Sequence, residues 1–315
     1  MKRHIYFRAD ASLKIGYGHF IRTLALADML KEDFNCTFFT SEPSEYQIRE
    51  LEKVCNYVSL KEETKLDDFL SVLKGTEIVV LDNYFYTTDY QKKIKAKGSK
   101  LVCIDDMHDK HYVADIIINH GNVCADVFDC EPYTRICLGN GYKLLRRPFL
   151  VPVTAEVRNN IAVVNLGGGD PFALTNNIVS LLLQAKTSYK IVVILGDTVY
   201  LSEQNRAKVE VRCKLSAEQM AKLFETSAFG ILPASTVSIE AASRGLPLLI
   251  GYQADNQEEG YQKAALSGRI IPLGNLRELN LEDLKMALSR LNGFKPIIPD
   301  YSQVPNNIIN VFRLL

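Results

Sequence analysis

Short apolar segments alternate with amphipathic ones along the first half of the chain. The apolar segments are rich in Val, Ile and Phe and mostly lack polar alternation, which is the pattern of parallel strands covered on both faces. They predict strands at residues 4–8, 36–40, 77–82, 100–104, 115–119 and 135–138. Helical spacing of apolar positions between the early strands predicts helices at residues 20–31, 44–55, 66–73 and 88–97.

The second half repeats this alternation. Strands are predicted at residues 161–165, 190–195, 209–212, 229–232, 247–251 and 270–273, and helices at 173–184, 217–224, 237–244, 257–266 and 281–291. Alternating strands and helices predict an α/β fold with parallel sheets. Two prolines interrupt the pattern between residues 146 and 160. We therefore expect two Rossmann-like domains, 1–150 and 151–315, facing a cleft, with a proline-spaced tail whose short amphipathic end can cross back onto the first domain.

Length and charge agree with two globular domains. The chain has 315 residues, and its 37 Lys and Arg balance 37 Asp and Glu. Zero net charge argues against a nucleic-acid groove or an anionic-membrane patch. No apolar run approaches the roughly 20 residues of a membrane helix, and the apolar run before Arg8 is only three residues long, which is too short for a signal peptide. We expect no nucleic-acid partner and no stable membrane insertion.

The cysteines favour a reducing compartment. There are seven, an odd number, and they are scattered without a C-x-x-C pair. That spacing is not typical of a zinc site or a disulfide framework. We therefore expect reduced thiols in a cytoplasmic protein.

The loop after the first predicted strand leads from Arg8 into a helix. Gly16 and Gly18 let the backbone approach a ligand closely, and the helix N-terminus that follows favours an anion such as a diphosphate. The third glycine of dinucleotide-binding loops is absent. His19 lies near the positive end of the helix dipole, which favours the neutral imidazole that can accept a proton from water. The alternative is that His19 simply caps the helix.

A second glycine-rich loop follows the first strand of the second half. Gly167, Gly168 and Gly169 precede a helix and can form a cradle of N–H groups for phosphate, with Asp170 as the helix cap and Pro171 at the first helical position. The alternative is a tight strand-to-helix turn without a ligand.

Two further loops of the second half carry candidate polar contacts. Ser235 and Thr236 begin a helix and can hold a phosphate, while Glu240, one turn along, can accept both hydroxyls of a ribose. In the next loop, Asn256 and Gln257 can bind sugar hydroxyls. Plain helix caps explain these residues one at a time, but not the recurrence of such loops in one domain.

Metal and cofactor chemistry is not expected. The stretch 105–109 has metal-type residues, but its adjacent carboxylates, Asp105 and Asp106, should point in different directions in an extended loop. No Walker motif and no G-x-S-x-G elbow occurs. We expect neither a metal nor a cofactor.

The assembled loops resemble a known family. Arg8-Ala9-Asp10 followed by Ile15-Gly16-Tyr17-Gly18-His19 resembles the opening of the UDP-sugar hydrolases of pseudaminic acid biosynthesis, which act on UDP-2,4-diacetamido-2,4,6-trideoxy-β-L-altropyranose. Those enzymes are relatives of MurG-type glycosyltransferases and share their two-domain glycosyltransferase-B fold. The resemblance continues at residues 81–84, 104–106, 117–119, 144–146, 167–170, 234–240 and 256–258, and so covers nearly the whole chain.

The resemblance implies a role for each matched residue. His19 is the catalytic histidine and takes a proton from the water that attacks C1, so that UDP leaves with inversion and without a metal. The implied substrate contacts are Asp10, Gly16, Tyr17, Gly18, Arg22 and Tyr84 in the first domain, and Gly168, Gly169, Ser235, Thr236, Glu240, Asn256 and Gln257 in the second.

Two other functions fit the same pattern. A glycosyltransferase would use the same UDP-sugar donor but would need an acceptor in place of water. A nucleotide-sugar binding module would bind the donor without cleaving it and would leave His19 unused. A dehydrogenase fits less well, because Thr40 and Ser41 stand where a dinucleotide-binding domain has an acidic residue.

Overall fold

The chain folds into two compact α/β units. The computed structural model describes residues 2–12, 16–119, 121, 123–154, 157–168, 170, 172–196 and 199–315, apart from the side chain of residue 256. One unit comprises Met1–Arg147 and Tyr301–Leu315, and the other comprises Pro148–Asp300.

The first unit is built on a seven-stranded parallel sheet with the order β3-β2-β1-β4-β5-β6-β7. Its strands are β1 His4–Ala9, β2 Asn35–Ser41, β3 Asn56–Leu60, β4 Ile78–Asp82, β5 Lys100–Ile104, β6 Ile116–Asn119 and β7 Arg135–Leu138. Its helices are α1 Gly18–Leu30, α2 Glu45–Glu52, α3 Lys65–Val72 and α4 Thr88–Ala96. Every residue of β4 and β6 is buried, as the unbroken apolar runs of these strands predict.

The second unit has a six-stranded parallel sheet with the order β10-β9-β8-β11-β12-β13. Its strands are β8 Asn159–Val164, β9 Lys190–Leu195, β10 Glu210–Cys213, β11 Ser227–Pro233, β12 Leu248–Tyr252 and β13 Ile271–Asn275. Its helices are α5 Leu174–Gln184, α6 Glu203–Arg206, α7 Ala217–Thr226, α8 Thr236–Ser243, α9 Asp255–Leu266 and α10 Leu281–Ser289.

These two sheets confirm the predicted α/β class. Each predicted strand and helix is present within a few residues of its expected bounds. Three further elements were not predicted as such: β3, α6 and α11 Val304–Arg313, which was expected only as a short amphipathic stretch. In β3 only Leu60 is fully buried, because the strand lies at the edge of the sheet, so its sequence lacks the apolar run of a central strand. No helix in the described part of the chain is both long and apolar enough to span a membrane.

The C-terminal helix corrects the predicted second domain. The expected domain 151–315 included residues 301–315, but α11 Val304–Arg313 belongs to the first unit and packs against α1. Its buried face includes Ile308 and Phe312, and the Phe312 ring lies 6.3 Å from that of Phe34 in an edge-to-face contact. The helix is amphipathic, and this apolar face is what carries the tail back to the first unit.

A buried ion pair closes the carboxyl end of β1. Arg8 is fully buried and donates to both carboxylate oxygens of Asp10, with Nη2 at 2.9 Å from Oδ2. The backbone N–H of Ser41 donates to Oδ1 at 2.7 Å, and Lys65 Nζ lies 3.0 Å from Oδ2. Burial alone would raise the pKa of Asp10, but Arg8, Ser41 and Lys65 together lower it below its usual value.

Truncation of the C-terminal helix contact tests its place in the first unit. Phe312→Ala should lower the free energy of unfolding by about 3–5 kcal/mol, because the substitution leaves a cavity in a packed core. The matched change Leu314→Ala, at an exposed residue of the same tail, should cost less than about 0.5 kcal/mol. Equal effects in urea unfolding would contradict the packing.

Removal of the Asp10 charge tests the buried pair. Asp10→Asn should lower the free energy of unfolding by about 3–5 kcal/mol near neutral pH, because Arg8 stays buried without a compensating charge. Since folding lowers the pKa of Asp10, the native carboxylate contributes stability above the unfolded pKa of about 3.9, and that contribution is lost as the pH falls through the lowered pKa.

Urea unfolding at several pH values measures this difference. The difference in the free energy of unfolding between the native chain and Asp10→Asn should become smaller in acid. The control Asp89→Asn, at an exposed carboxylate, should change that free energy little at any pH. A difference that does not depend on pH would contradict the role of the ion pair.

Candidate functional site

His19 lies at the carboxyl edge of the first sheet, where the strands β1 and β4 end. It is the second residue of α1, and only 6% of it is exposed. Its Nδ1 lies 2.7 Å from Oδ1 of Asp82, the last residue of β4. Nε2 forms no hydrogen bond with any residue that the structure describes, yet it is not among the fully enclosed polar atoms. One ring nitrogen is thus held by a carboxylate and the other is open.

Asp82 is the centre of a buried cluster. Arg22 grips it with two hydrogen bonds of 2.6 Å, from Nε to Oδ2 and from Nη2 to Oδ1. Thr23 Oγ1 donates to Oδ2 at 2.8 Å, and Arg22 Nη1 donates to Asp106 at 2.8 Å. Residues three and four apart share one face of a helix, so α1 presents His19, Arg22 and Thr23 to the same carboxylate.

The contacts of Nδ1 assign its proton. A carboxylate at 2.7 Å requires a donor, so Nδ1 carries the hydrogen and donates it to Asp82. Arg22 Nη2 also lies 3.1 Å from Nδ1, but both nitrogens then carry protons, and this is a close contact rather than a hydrogen bond. Nε2 is left with its lone pair, which is the arrangement of a base.

The electrostatics of the cluster keep both carboxyls ionised. Burial alone would raise the pKa of Asp82, but the Arg22 guanidinium and His19 outweigh it and hold the pKa far below its usual range. Asp106 behaves in the same way: burial raises its pKa, and Arg22 lowers it by more. Two carboxylates, Asp82 and Asp106, thus share one guanidinium, that of Arg22.

Tyr84 packs against the imidazole. Its ring lies 4.5 Å from that of His19 at 84°, an edge-to-face contact, and its hydroxyl lies 3.4 Å from Oδ2 of Asp106. The side chain is 40% exposed. The structure therefore brings together three predicted site residues, His19, Arg22 and Tyr84.

The other predicted residues of this loop surround the same helix end. Gly16 has φ +76° and its N–H donates to Ser12 O, while Tyr17 precedes α1 without giving it a side-chain cap. Gly18 opens the helix. The alternative that His19 caps α1 is not what the structure shows, because its Nδ1 is directed to Asp82. Asp10 has its carboxylate engaged by Arg8, Ser41 and Lys65, so a direct substrate contact would have to displace one of them.

In the second unit, the glycine loop comes close to a second backbone segment. Gly167 has φ +99°, a conformation that favours glycine, and a Cβ on Gly196 would lie 2.3 Å from the carbonyl oxygen of Gly168. Gly169 lies outside the described residues. The Asp170 carboxylate accepts the N–H groups of Leu174 at 2.8 Å and Thr175 at 2.7 Å. Asp170 thus occupies two of the N–H groups that open α5, where the sequence predicted a phosphate cradle.

The start of α8 is free of such a cap. Ser235 stands at the cap position without a side-chain hydrogen bond to the helix, and the first turn, which Thr236 opens, has no acidic residue. Glu240 lies further along this helix and is only 2% exposed, so a ribose contact requires it to become accessible. Gln257 accepts the Gln253 N–H through Oε1 at 3.1 Å, and residue 256 lies in α9 with its side chain outside the described part.

In the acidic loop after β5, Asp105 and Asp106 point in different directions, as expected. Asp105 turns to the backbone N–H groups of Met107 at 3.1 Å and His108 at 2.6 Å, while Asp106 turns to Arg22. Burial raises the pKa of Asp105. Among the described residues, no group of three or more His, Cys, Asp or Glu side chains is arranged to hold a metal ion.

Sequence reasoning missed three members of the cluster: Asp82, Thr23 and Asp106. Asp82 entered only through the resemblance, and Asp106 through the resemblance and as a rejected metal ligand. The available signal was position, because Asp82 and Asp106 end or follow neighbouring strands at the edge where His19 was expected.

Comparison with known proteins gives three relatives. No protein-family model matches the chain. It is 26% identical over 273 residues to an uncharacterized protein of Methanocaldococcus jannaschii, and it spans 56% of the length of that protein. It is 24% identical over 312 residues to the spore coat polysaccharide biosynthesis protein SpsG of Bacillus subtilis, covering 93% of this chain and 90% of that one.

The third relative bears the name that the resemblance suggested. The chain is 28% identical over 257 residues to the UDP-2,4-diacetamido-2,4,6-trideoxy-β-L-altropyranose hydrolase of Campylobacter jejuni. The match covers 75% of this chain and 87% of that protein.

Solved structures support the fold. MurG of Acinetobacter baumannii matches with a TM-score of 0.66 and 12% identity, covering 99% of this chain and all of that one. The UDP complex of UGT89C1 from Arabidopsis thaliana matches with a TM-score of 0.65 and 12% identity, over 100% of this chain and 94% of that one. The chain is therefore a relative of the UDP-2,4-diacetamido-2,4,6-trideoxy-β-L-altropyranose hydrolase and of SpsG, and it has the glycosyltransferase-B fold of MurG.

Proposed function

We propose that this chain hydrolyses a UDP-linked diacetamido-trideoxy sugar at the C1–O bond and releases UDP and the free sugar, in pseudaminic acid biosynthesis. The observation that carries the proposal is the buried His19, whose Nδ1 is fixed on Asp82 and whose Nε2 is open. The name of the Campylobacter relative gives the substrate. The glycosyltransferase-B fold, which MurG and the UDP-bound plant enzyme share, supports a nucleotide-sugar substrate.

Water is the nucleophile in the proposed reaction. Its oxygen attacks C1 of the sugar while Nε2 of His19 takes one of its protons, and the electron pair of the C1–O bond leaves with the diphosphate of UDP. The attack comes from the face opposite UDP, so the sugar is released with inverted configuration at C1. No acid is needed for UDP, which is already a good leaving group.

The buried cluster suits the proton transfer. Asp82 keeps the Nδ1 proton in place, so only Nε2 can act as the base. When Nε2 becomes protonated, the imidazolium balances the second carboxylate of the pair formed by Asp82 and Asp106. Because hydrogen bonds already orient these groups, they stabilise that charge without rearranging.

The second unit supplies the proposed nucleotide contacts. N–H groups at the start of α8, with Ser235 and Thr236, would hold the diphosphate, and Gly168 and Gly169 would border it. Glu240 would bind the ribose, and Asn256 and Gln257 would bind the diphosphate or the sugar. Since Asp170 caps α5, we assign the main anion contact to α8, whose first turn has no acidic residue. These helix ends would neutralise the phosphates without a metal.

The other two functions make different predictions. A transferase, which the MurG fold also supports, would release UDP rapidly only when a sugar or lipid acceptor is present. A binding module would bind the UDP-sugar but release no UDP. Product analysis without any acceptor separates the three.

Hydrolysis in labelled water tests the proposal directly. In heavy-oxygen water and without acceptor, the native chain should release UDP, and the label should appear at C1 of the free sugar and not in UDP. The first sugar product seen by NMR should be the inverted anomer. Label in UDP would place the cleavage at phosphorus and contradict the mechanism.

Two matched histidine variants test the base. His19→Gln should lower kcat by about 100-fold or more while UDP binding is kept, because a positioned base contributes roughly 10²–10⁴ to the rate. His111→Gln removes a histidine whose Nδ1 also faces a carboxylate, Asp129 at 2.8 Å, but on the exposed surface, and it should leave kcat unchanged. Near-normal turnover in His19→Gln would rule out the base.

A further inference from the structure

Four aromatic side chains lie in the segments that follow β1, β2 and β4 in the first unit, three of them on loops and one at the start of α2. We call this group the aromatic rim, and its members are Tyr17, Tyr46, Tyr84 and Phe85. Tyr17 and Tyr46 contact each other edge to face at 5.6 Å, and Tyr84 contacts His19. The rim therefore lies at the sheet edge that carries the proposed base.

Phe85 is held firmly although it is exposed. Lys65 Nζ lies 4.7 Å from the centre of its ring, and Lys65 is itself fixed by Asp10 at 3.0 Å and Glu62 at 2.6 Å. The ring also contacts the buried Tyr86 at 4.5 Å. A cation over the ring and an aromatic neighbour orient Phe85 before any ligand arrives.

The exposure of Phe85 is not explained by the fold. A single exposed apolar side chain is ordinary in proteins. Here, however, two consecutive aromatic residues, Tyr84 and Phe85, are 40% and 39% exposed, and both are fixed by contacts beneath them. Apolar surface kept rigid beside a reactive group is typical of a ligand contact.

The charged groups nearby are already engaged with one another. Arg22 donates to Asp82 and Asp106, and Asp10 accepts from Arg8, Ser41 and Lys65. A sugar rich in hydroxyls would have to compete with these short contacts for hydrogen bonds. A sugar that presents methyl groups needs only the ring faces.

We propose that Phe85, next to Tyr84, is a specificity-determining residue that binds the apolar side of a deoxy sugar, namely the C6 methyl and acetamido methyl groups. We call the adjacent rings of Tyr84 and Phe85 the platform. The proposal rests on the proposed function, because the platform would bind a sugar whose C1 is brought to His19. Phe85 contributes to binding and selection rather than to proton transfer.

Kinetics with two substrates test this role. The substrates are a UDP-linked 6-deoxy-N-acetylhexosamine and UDP-N-acetylglucosamine, which differ at C6 in a methyl against a hydroxymethyl group. Phe85→Ala should raise KM for the deoxy sugar about tenfold and change kcat by less than about twofold. The preference for the deoxy sugar should fall, product inhibition by UDP should not change, and Phe85→Tyr should restore KM.

A matched control is available in the same unit. Tyr133 is also an exposed aromatic residue with a lysine over its ring, Lys95 Nζ at 5.4 Å, but it lies outside the rim. Tyr133→Ala should leave both KM values unchanged. If Phe85→Ala behaves like Tyr133→Ala while the native chain hydrolyses UDP-sugars, the platform is wrong and the proposed function stands.

Calorimetric binding to the His19→Gln variant separates the two proposals. If adding Phe85→Ala weakens binding of the deoxy UDP-sugar about tenfold, the platform is supported even when the native chain shows no turnover. Absence of turnover in the native chain would overturn hydrolysis alone. Binding that does not respond to Phe85→Ala overturns the platform. Absence of binding to any UDP-sugar overturns both.

Discussion

The carboxylate of Asp82 is the interaction on which the candidate site depends. It ends the fully buried strand β4 and accepts hydrogen bonds from His19, Arg22 and Thr23 of one helix. A buried carboxylate without such donors would take up a proton or destabilise the fold. Because Arg22 keeps it ionised, Asp82 both attaches α1 to the sheet and determines which nitrogen of His19 carries the proton. The stability of the fold and the proposed chemistry therefore both depend on the negative charge of Asp82.

Two other carboxylates show how the fold limits where an anionic substrate can bind. Asp10 compensates the buried Arg8 at the end of β1, and Asp170 caps α5 at the glycine loop. Both stand at sheet edges where sequence motifs indicate ligand contacts. A negative charge already fixed at a helix N-terminus opposes a phosphate at the same place. The proposed anion contact of the second unit is therefore the start of α8, which has no side-chain cap and no acidic residue in its first turn.

The sequence predicted the architecture well because the strands of parallel sheets are apolar throughout and alternate with helices. It failed at β3, an edge strand with a single buried residue. It also drew the second domain to residue 315, although the tail crosses back to the first unit as its amphipathic end suggested. The glycine spacing predicted that His19 lies at the start of a helix, and it is the second residue of α1. The glycine spacing could not reveal that Asp82 holds the His19 ring, because residues 63 positions apart meet only through the order of the strands. Nor could it show that the Asp10 carboxylate is occupied within the fold.

The central claim is that Asp82 fixes the proton of His19 on Nδ1 and leaves Nε2 as the acceptor. Nitrogen-15 NMR of the labelled imidazole measures this directly near neutral pH, with the signal assigned by its loss in a His19 variant. We expect the ring proton on Nδ1 and none on Nε2, with a deshielded Nδ1 proton characteristic of a hydrogen bond to a carboxylate. A ring protonated at Nε2, or one that exchanges freely between both tautomers, would contradict it.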